Sequence, residues 1–81
     1  MNVRVLFFAT AREAAGCASL ELSLSEGATV SEARGAIGRR FPALEPRLAH
    51  FRFAVDREFA GPEQALHEGA ELAIIPPVSG G

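Results

Sequence analysis

The residues best suited to chemistry in this sequence are its last two, Gly80 and Gly81, in the ending IIPPVSGG. Glycine loses more backbone freedom on folding than any other residue, so it is a poor choice for closing a packed structure. Without a Cβ, the pair can enter a narrow channel and present an unhindered carboxyl group. A terminal carboxylate has a pKa of about 3.5, so at neutral pH it is ionised and a poor electrophile. Reaction there requires prior activation, for instance as an acyl-adenylate.

The two prolines before this ending set it apart from the rest of the chain. The sequence predicts a folded domain over residues 1–75 and an extended, flexible tail over residues 76–81. The tail comprises Pro76, Pro77, Val78, Ser79, Gly80 and Gly81. Its last four residues span about 13 Å when extended. The alternative interpretation is a frayed terminus, which is common.

Other reactive residue types are few and dispersed. His50 and His67 lie far apart, with no cysteine or carboxylate at ligand spacing, so the prediction is surface histidines and no metal site. Cys17 follows a predicted helix end, and a packed or incidental thiol is the favoured interpretation. No glycine-rich phosphate loop follows a strand, so we expect no bound cofactor and no ATP site on this chain. Activation of Gly81 would therefore be the task of another protein.

Size and composition exclude several classes of protein. The chain has 81 residues, a net charge of −2 and 48% hydrophobic residues, which predicts one globular domain. It has no basic run typical of nucleic-acid or anionic-membrane binding, and no apolar stretch of membrane-spanning length. A single cysteine fits a cytoplasmic location. All eight basic residues are arginine, so the chain offers no side-chain amine and cannot form lysine-linked chains of itself.

The first half of the chain predicts two strands around a short helix. Asn2 to Ala9 is rich in β-branched and aromatic residues and predicts a strand. TAREAAG predicts a helix capped by Thr10 and ended by Gly16. The alternation from Ser19 to Leu24 predicts a second strand, hairpinned with the first.

The second half predicts one longer helix and two further strands. Thr29 and Glu32 form a predicted capping box before an apolar row, and Pro42 ends that helix. The row comprises Val30, Ala33, Ile37 and Phe41. A connector with one helical turn leads to a strand at Phe51 to Asp56. A turn-rich stretch anchored by Leu66 then precedes the last strand, ELAIIP. This order predicts an α+β domain of the β-grasp type, a mixed sheet with one crossover helix and its first and last strands central.

Three apolar side chains are predicted on the solvent face of that sheet, beside the tail. Phe8 follows the parity of Arg4, and Ile75 follows that of Glu71, so neighbouring first and last strands bring them together. Phe59, in an otherwise polar turn, can join them. Such a cluster suggests a docking surface, to which Arg12 of the first helix can add a contact. The alternative is that the short helix or a turn covers these side chains.

Three stretches resemble one known family. VLFFATAREAAG, AVD and ELAIIPPVSGG, in this order and over the whole chain, resemble the small subunit of molybdopterin synthase. Members of that family are ubiquitin-like β-grasp sulfur carriers. The ending Pro-Pro-Val-Ser-Gly-Gly, together with Leu-Phe-Phe-Ala, carries the similarity, because thiamine-pathway carriers and ubiquitin-like modifiers share the Gly-Gly alone. Asp56, where relatives often have asparagine, departs from the pattern.

The resemblance implies a carrier mechanism and a set of partners. An adenylyltransferase resembling ubiquitin-activating enzymes would adenylate Gly81 with ATP. A sulfur donor, a sulfurtransferase or a cysteine desulfurase, would displace AMP and leave a thiocarboxylate, that is, a 1-thioglycine at Gly81. The large subunit would then use this sulfur to convert cyclic pyranopterin monophosphate into the dithiolene of molybdopterin. It would hold the catalytic side chains, in a heterotetramer, and the present chain would be a non-catalytic carrier subunit.

Three other functions stay open at this point. The chain could be a sulfur carrier for thiamine synthesis or tRNA thiolation, a ubiquitin-like modifier joined to lysines of targets, or a plain interaction module. They differ in what they require of the tail. Both carriers need a thiocarboxylate at Gly81, the modifier needs an isopeptide bond there, and the module needs no tail at all.

Overall fold

The computed structural model describes residues 1–77 of the chain. Its strands are β1 (Asn2–Phe7), β2 (Ser19–Ser23), β3 (Arg52–Val55), β4 (Glu58–Phe59) and β5 (Glu71–Ile75). Its helices are α1 (Ala9–Ala15), α2 (Val30–Arg40) and a 3₁₀ helix (Glu45–His50). Within residues 1–77, no helix has the length and apolarity that crossing a membrane requires.

The five strands form one mixed sheet, in which the first and last strands of the sequence, β1 and β5, are central neighbours. The order is β2-β1-β5-β3-β4; β1 pairs antiparallel with β2 and parallel with β5, and β5 pairs antiparallel with β3. The α+β prediction of a β-grasp sheet with adjacent first and last strands is therefore confirmed. Parallel pairing needs a long crossover connection, and α2 provides it on one face of the sheet.

The core lies between that face and α2. Alternate residues of the central strands point inward, as their two-residue period requires. The buried residues of β1, β5 and α2 are Val3, Val5, Phe7, Leu72, Ile74, Val30, Ala33 and Ile37. Leu66 anchors the turn-rich stretch in the same core. Phe41, the last of the predicted apolar row, is half-buried and packs edge-to-face on Phe7, with 5.4 Å between ring centroids.

The predicted start of α2 is confirmed by its cap. Thr29 has extended backbone angles, and its hydroxyl oxygen accepts a hydrogen bond from the Glu32 backbone N–H at 3.2 Å. The Glu32 carboxylate does not return a bond to the Thr29 backbone; it accepts from the Thr29 hydroxyl at 3.5 Å. The cap satisfies one of the free N–H groups of the first turn.

The predicted cap of the first helix is wrong. α1 begins at Ala9, directly after β1, so Thr10 lies inside the helix and makes no capping bond. Phe8 takes the capping position, where its backbone carbonyl accepts from Ala11 N at 3.0 Å. The positive φ of Ala9, 48°, turns the chain sharply enough to start the helix without a linker. The predicted stop is confirmed, because Gly16 ends α1 in the left-handed conformation.

β4 is a strand that the sequence analysis missed. A two-residue turn, Asp56 and Arg57, joins it to β3, and both residues have positive φ, 49° and 73°. This geometry matches the tight hairpin turns for which glycine or asparagine is the usual signal. Neither is present here, so the sequence carries no clear mark of the hairpin. Aspartate tolerates the left-handed region better than most residues, which makes Asp56 a workable first position.

The two glycines of α2 have different surroundings. A Cβ on Gly35 would lie 3.4 Å from the mobile Nη1 of Arg39. A Cβ on Gly38 would lie 2.9 Å from Glu45 Cγ and 3.5 Å from Leu48 Cδ1, because the 3₁₀ helix packs closely there. Gly38 is thus needed for helix packing, whereas Gly35 only weakens the helix.

We predict opposite effects for the same substitution at these two positions. Gly35→Ala should raise the free energy of unfolding by up to about 1 kcal/mol, the helix-propensity difference between glycine and alanine. Gly38→Ala should lower it by about 1 kcal/mol, because overpacking outweighs the propensity gain. Urea denaturation of both variants tests this prediction. Equal stabilisation by both substitutions would contradict it, because the 3₁₀ helix would then move away from the added Cβ at no cost in free energy.

Candidate docking surface and tail

The solvent face of the sheet carries an apolar row that crosses four strands. The register pairs Leu6 with Ala73, Ala73 with Ala54, and Ala54 with Phe59. Leu6 and Ala73 alternate with the buried positions of their strands and so point away from α2. Ala54 shares their face but is itself 5% exposed, and Phe59 lies on β4, whose two residues are both exposed. The row leads directly to the edge of the sheet at β4.

Phe8 and Ile75 complete this row into a cavity of about 270 Å³. We call its apolar lining the apolar patch; it consists of Leu6, Phe8, Ala54, Phe59, Ala73 and Ile75. Phe8 is 47% exposed and Phe59 is 60% exposed, and they are the exposed large hydrophobic residues of the described chain. α1 follows Phe8 but does not cover it, so the covered alternative does not hold. An exposed apolar surface of this kind is typical of interaction sites.

The predicted tail begins beside this patch. β5 ends at Ile75, whose register partner is Arg52 of β3. Phe8 N donates a hydrogen bond to the Ile74 backbone carbonyl at 3.3 Å, which joins the end of β1 to the end of β5. Pro76 is half-buried and Pro77 is exposed. The rest of the predicted tail, Val78, Ser79, Gly80 and Gly81, lies outside the described residues, so the boundary between domain and tail stays a prediction.

The arginine expected to contribute to the apolar patch, Arg12, is not the one that the structure places there. Arg12 is exposed on α1, four residues after Phe8, but it does not line the cavity. Arg57 of the β3–β4 turn lines the cavity instead. Arg52 stacks on Phe59, with its guanidinium carbon 3.7 Å from the ring centroid. Such a contact orders both side chains and is worth about 0.5–1 kcal/mol at an exposed site. The sequence does not predict this pairing, because it carries no clear mark of β4.

A polar cluster fixes the β3–β4 turn next to the start of β5. Asp56 Oδ1 accepts from the Glu71 backbone N–H at 3.0 Å, and Asp56 Oδ2 lies 2.6 Å from His67 Nε2. The Glu71 N–H and then His67 lower the pKa of Asp56. The hydrogen bond to Asp56 and then the Glu68 backbone carbonyl raise the pKa of His67. Only the imidazolium can donate from both ring nitrogens to these two acceptors.

The remaining candidates carry no catalytic arrangement. Within residues 1–77, no three His, Cys, Asp or Glu side chains come together as a metal site. Cys17 is half-buried and packs against the core, and His50 is exposed at the end of the 3₁₀ helix. His67 is the exception to the dispersed pattern, since the fold brings it to Asp56 across eleven residues of sequence. Among residues 1–77, the apolar patch is therefore the feature on which a functional hypothesis can be built.

A mixed sheet crossed by one helix, with an apolar patch at the end of its central strand, defines the class of ubiquitin-like β-grasp proteins. The chain belongs to the ThiS family, which it matches over residues 5–81. Among curated proteins it is 39% identical to the molybdopterin synthase sulfur carrier subunit of Chlamydomonas reinhardtii, over 100% of both chains. It is 35% identical to that of Arabidopsis thaliana, over 100% of this chain and 84% of the relative. The resemblance inferred from the sequence is confirmed.

Solved structures agree on the fold. The crystal structure of small archaeal modifier protein 1 from Haloferax volcanii superposes with a TM-score of 0.92 at 32% identity, over the whole of both chains. The complex of subunits 1 and 2 of molybdopterin-converting factor from Helicobacter pylori contains a chain with a TM-score of 0.72 at 23% identity, again over both whole chains. The second likeness is one of fold alone.

The Asp56–His67 pair predicts a specific pH dependence of stability. The raised pKa of His67 gives a contribution that is complete below its ordinary value of 6.5 and is lost as the pH rises through the folded-state value. The lowered pKa of Asp56 gives a contribution present above 3.8 and lost as the pH falls. The pair should therefore stabilise the fold most between these two pH values.

The melting temperature of the wild type should decline as the pH is raised from 5.5 to 8. His67→Gln should abolish this decline, and His50→Gln should retain it. An unchanged decline in His67→Gln would assign it to other groups.

Proposed function

We propose that this chain is a cytoplasmic sulfur-carrier subunit of molybdopterin synthase, with Gly81 as the covalent carrier. The observation that carries the proposal is the position of the apolar patch at the end of central strand β5, from which the Gly-Gly sequence continues. Whole-length similarity to molybdopterin synthase sulfur carrier subunits supports it. A partner that binds the patch receives the tail from a rigid element, and hence in a defined direction.

The proposed chemistry occurs at one carboxylate and uses groups supplied by partners. An adenylyltransferase transfers AMP from ATP to Gly81, with release of pyrophosphate, and thereby makes the carbonyl an electrophile. The persulfide of a sulfur donor attacks that carbonyl and expels AMP, and a thiol then reduces the resulting acyl disulfide, leaving a thiocarboxylate and a disulfide on the donor side. The large subunit then takes the tail, and each thiocarboxylate gives one sulfur to cyclic pyranopterin monophosphate and returns to a carboxylate by reaction with water, so two loaded carriers supply the two sulfurs of the dithiolene. No cofactor is needed on this chain, whose part is to present Gly81 and to be recognised.

Gly80 and Gly81 suit this role because they lack side chains. A channel that excludes water around an activated carbonyl must be narrow, and a Cβ at either position would widen it. Glycine offers a partner only its backbone groups, so we assign most of the specificity to the folded domain. The apolar patch, with Phe8, Phe59 and Ile75, is the proposed docking surface for both the adenylyltransferase and the large subunit. The named complex of two subunits from Helicobacter pylori is consistent with a heterotetramer.

A second candidate function is that of a protein modifier. It is favoured by the TM-score of 0.92 with small archaeal modifier protein 1. Modifier and carrier share the activated Gly81 and differ in the nucleophile that follows, a target lysine in one case and a sulfur donor in the other. Lysines carrying Gly-Gly remnants in digests of the native host would favour the modifier. A thiocarboxylate without such remnants would favour the carrier.

The first test is the state of the C-terminus. Protein purified mildly from its native host should contain a fraction heavier by one sulfur-for-oxygen exchange, mapped to Gly81 by mass spectrometry. Deletion of Gly81 should abolish this fraction and sulfur transfer, while the melting temperature barely changes, because the tail adds little to the core. Glu63→Gln, an exposed change, serves as the matched control. A large loss of stability on deletion, or failure of ATP-dependent activation of the wild type, would contradict the proposal.

The second test is the docking role of the patch. Phe8→Ser and Phe59→Ser should each weaken binding to the large subunit by tenfold or more. Truncation of an aromatic side chain that anchors an interface typically costs roughly 2 kcal/mol or more of binding free energy. Both side chains are largely exposed, so melting temperatures should stay within a few degrees of the wild type. Calorimetric titration measures the affinity. Unchanged affinity in both variants would place the docking surface elsewhere.

A further inference from the structure

A second groove lies on the other side of Phe59 and is lined by two arginines. It has a volume of about 430 Å³ and runs between the first turn of α2 and the segment after β4. Arg34 of α2 and Arg52 of β3 border it, and Phe51, Phe53 and Pro62 supply apolar walls. We call this cavity the arginine groove.

The groove is positively charged although the protein is acidic overall. No aspartate or glutamate is among its lining residues, and the chain as a whole has a net charge of −2. Within residues 1–77, neither Arg34 nor Arg52 forms a salt bridge. Arg34 is half-buried and also borders a neighbouring cavity lined by Glu45, without pairing with it. A partly desolvated guanidinium without a counter-charge favours an anionic ligand.

The two guanidiniums are presented to a ligand by different means. Arg52 is held against the Phe59 ring at 3.7 Å, so less of its side-chain freedom is lost on binding. Arg34 projects from the second turn of α2, one residue after the buried Ala33. The backbone N–H groups at the start of that helix are already used, since Val30 N donates to Gln64 O at 3.0 Å and Ser31 N to Pro62 O at 2.9 Å. Recognition of an anion in this groove therefore falls to the arginine side chains.

Phe59 lines both the arginine groove and the apolar patch, so the two surfaces are continuous. A protein seated on the patch necessarily lies next to the groove. The apolar walls and the size of the groove fit a segment of polypeptide that carries a carboxylate. Arginine binds carboxylates through two parallel N–H···O bonds, a geometry that lysine cannot reproduce.

We propose that an acidic segment of the large subunit docked on the apolar patch places a carboxylate between Arg34 and Arg52 in the arginine groove. The inference rests on the proposed function, and it assigns charge recognition to a region separate from the patch. The patch would supply most of the affinity, while the two arginines would fix the orientation of the partner and raise its association rate.

The test uses the full chain and the molybdopterin synthase large subunit encoded by the same genome. Calorimetric titration at low and at high salt should show Arg34→Gln weakening binding by about tenfold at low salt, with a much smaller effect at high salt, because screening removes charge pairing. Arg34→Lys should recover only part of the loss. Arg47→Gln, the same charge change on the exposed 3₁₀ helix, is the matched control and should stay within about twofold of the wild type. Arg34 is the decisive position, since a change of Arg52 also disturbs Phe59.

The outcomes separate the two proposals. Failure of the wild type to bind the large subunit would overturn the proposed function and this inference with it. Binding by the wild type, with Arg34→Gln equal to Arg47→Gln at both salt concentrations, would overturn the inference alone. Sedimentation showing self-association of the wild type that Arg34→Gln abolishes would assign the groove to a second copy of this chain, and would also overturn it.

Discussion

The pairing of β1 with β5 is the constraint on which the rest of the structure depends. It joins the first and last strands in parallel, with Val5 opposite Leu72 and Phe7 opposite Ile74. Closing so long a loop is entropically costly, and the cost is offset only when α2 covers the sheet and buries these side chains. The same pairing fixes Phe8 beside Ile74 and thereby places the start of the tail next to the patch.

The same strands supply the core on one face of the sheet and the apolar patch on the other. Because the side-chain period is two, every inward residue of β5 has an outward neighbour, and a slip of one residue would exchange core and patch. On the outward side, Ala54 and Ala73 occupy the middle of the apolar row, with the larger Leu6 and Phe59 on either side. The small residues make a depression between larger side chains. The shape of the apolar patch thus follows from register as much as from hydrophobicity.

Sequence reasoning succeeded where a local pattern determines the structure. The β-branched and aromatic run that forms β1, the cap at Thr29 and the stop at Gly16 each depend on a few neighbouring residues, and each is predicted from the sequence. Such reasoning fails at the start of α1, where Phe8 and not Thr10 takes the capping position, at a hairpin whose usual signal is replaced, and for side-chain contacts between distant segments. The β3–β4 turn uses Asp56 and Arg57 in place of glycine, so β4 was missed and with it the stacking of Arg52 on Phe59. The contact of His67 with Asp56 exists only because that turn folds against the start of β5. Patch residues could be named from parity, whereas the arginine groove required the tertiary structure.

The chain contains no lysine, and this bears on the chemistry proposed at Gly81. A carrier that holds its terminus as an acyl-adenylate or thiocarboxylate is exposed to attack by any nearby amine. Lysine becomes such a nucleophile when it loses its proton, whereas the guanidinium of arginine keeps its charge and does not acylate under these conditions. The cationic contacts proposed for docking, at Arg34 and Arg52, are both arginines. An arginine can therefore bind a negative charge of the partner close to the activated carboxyl group without being acylated by it.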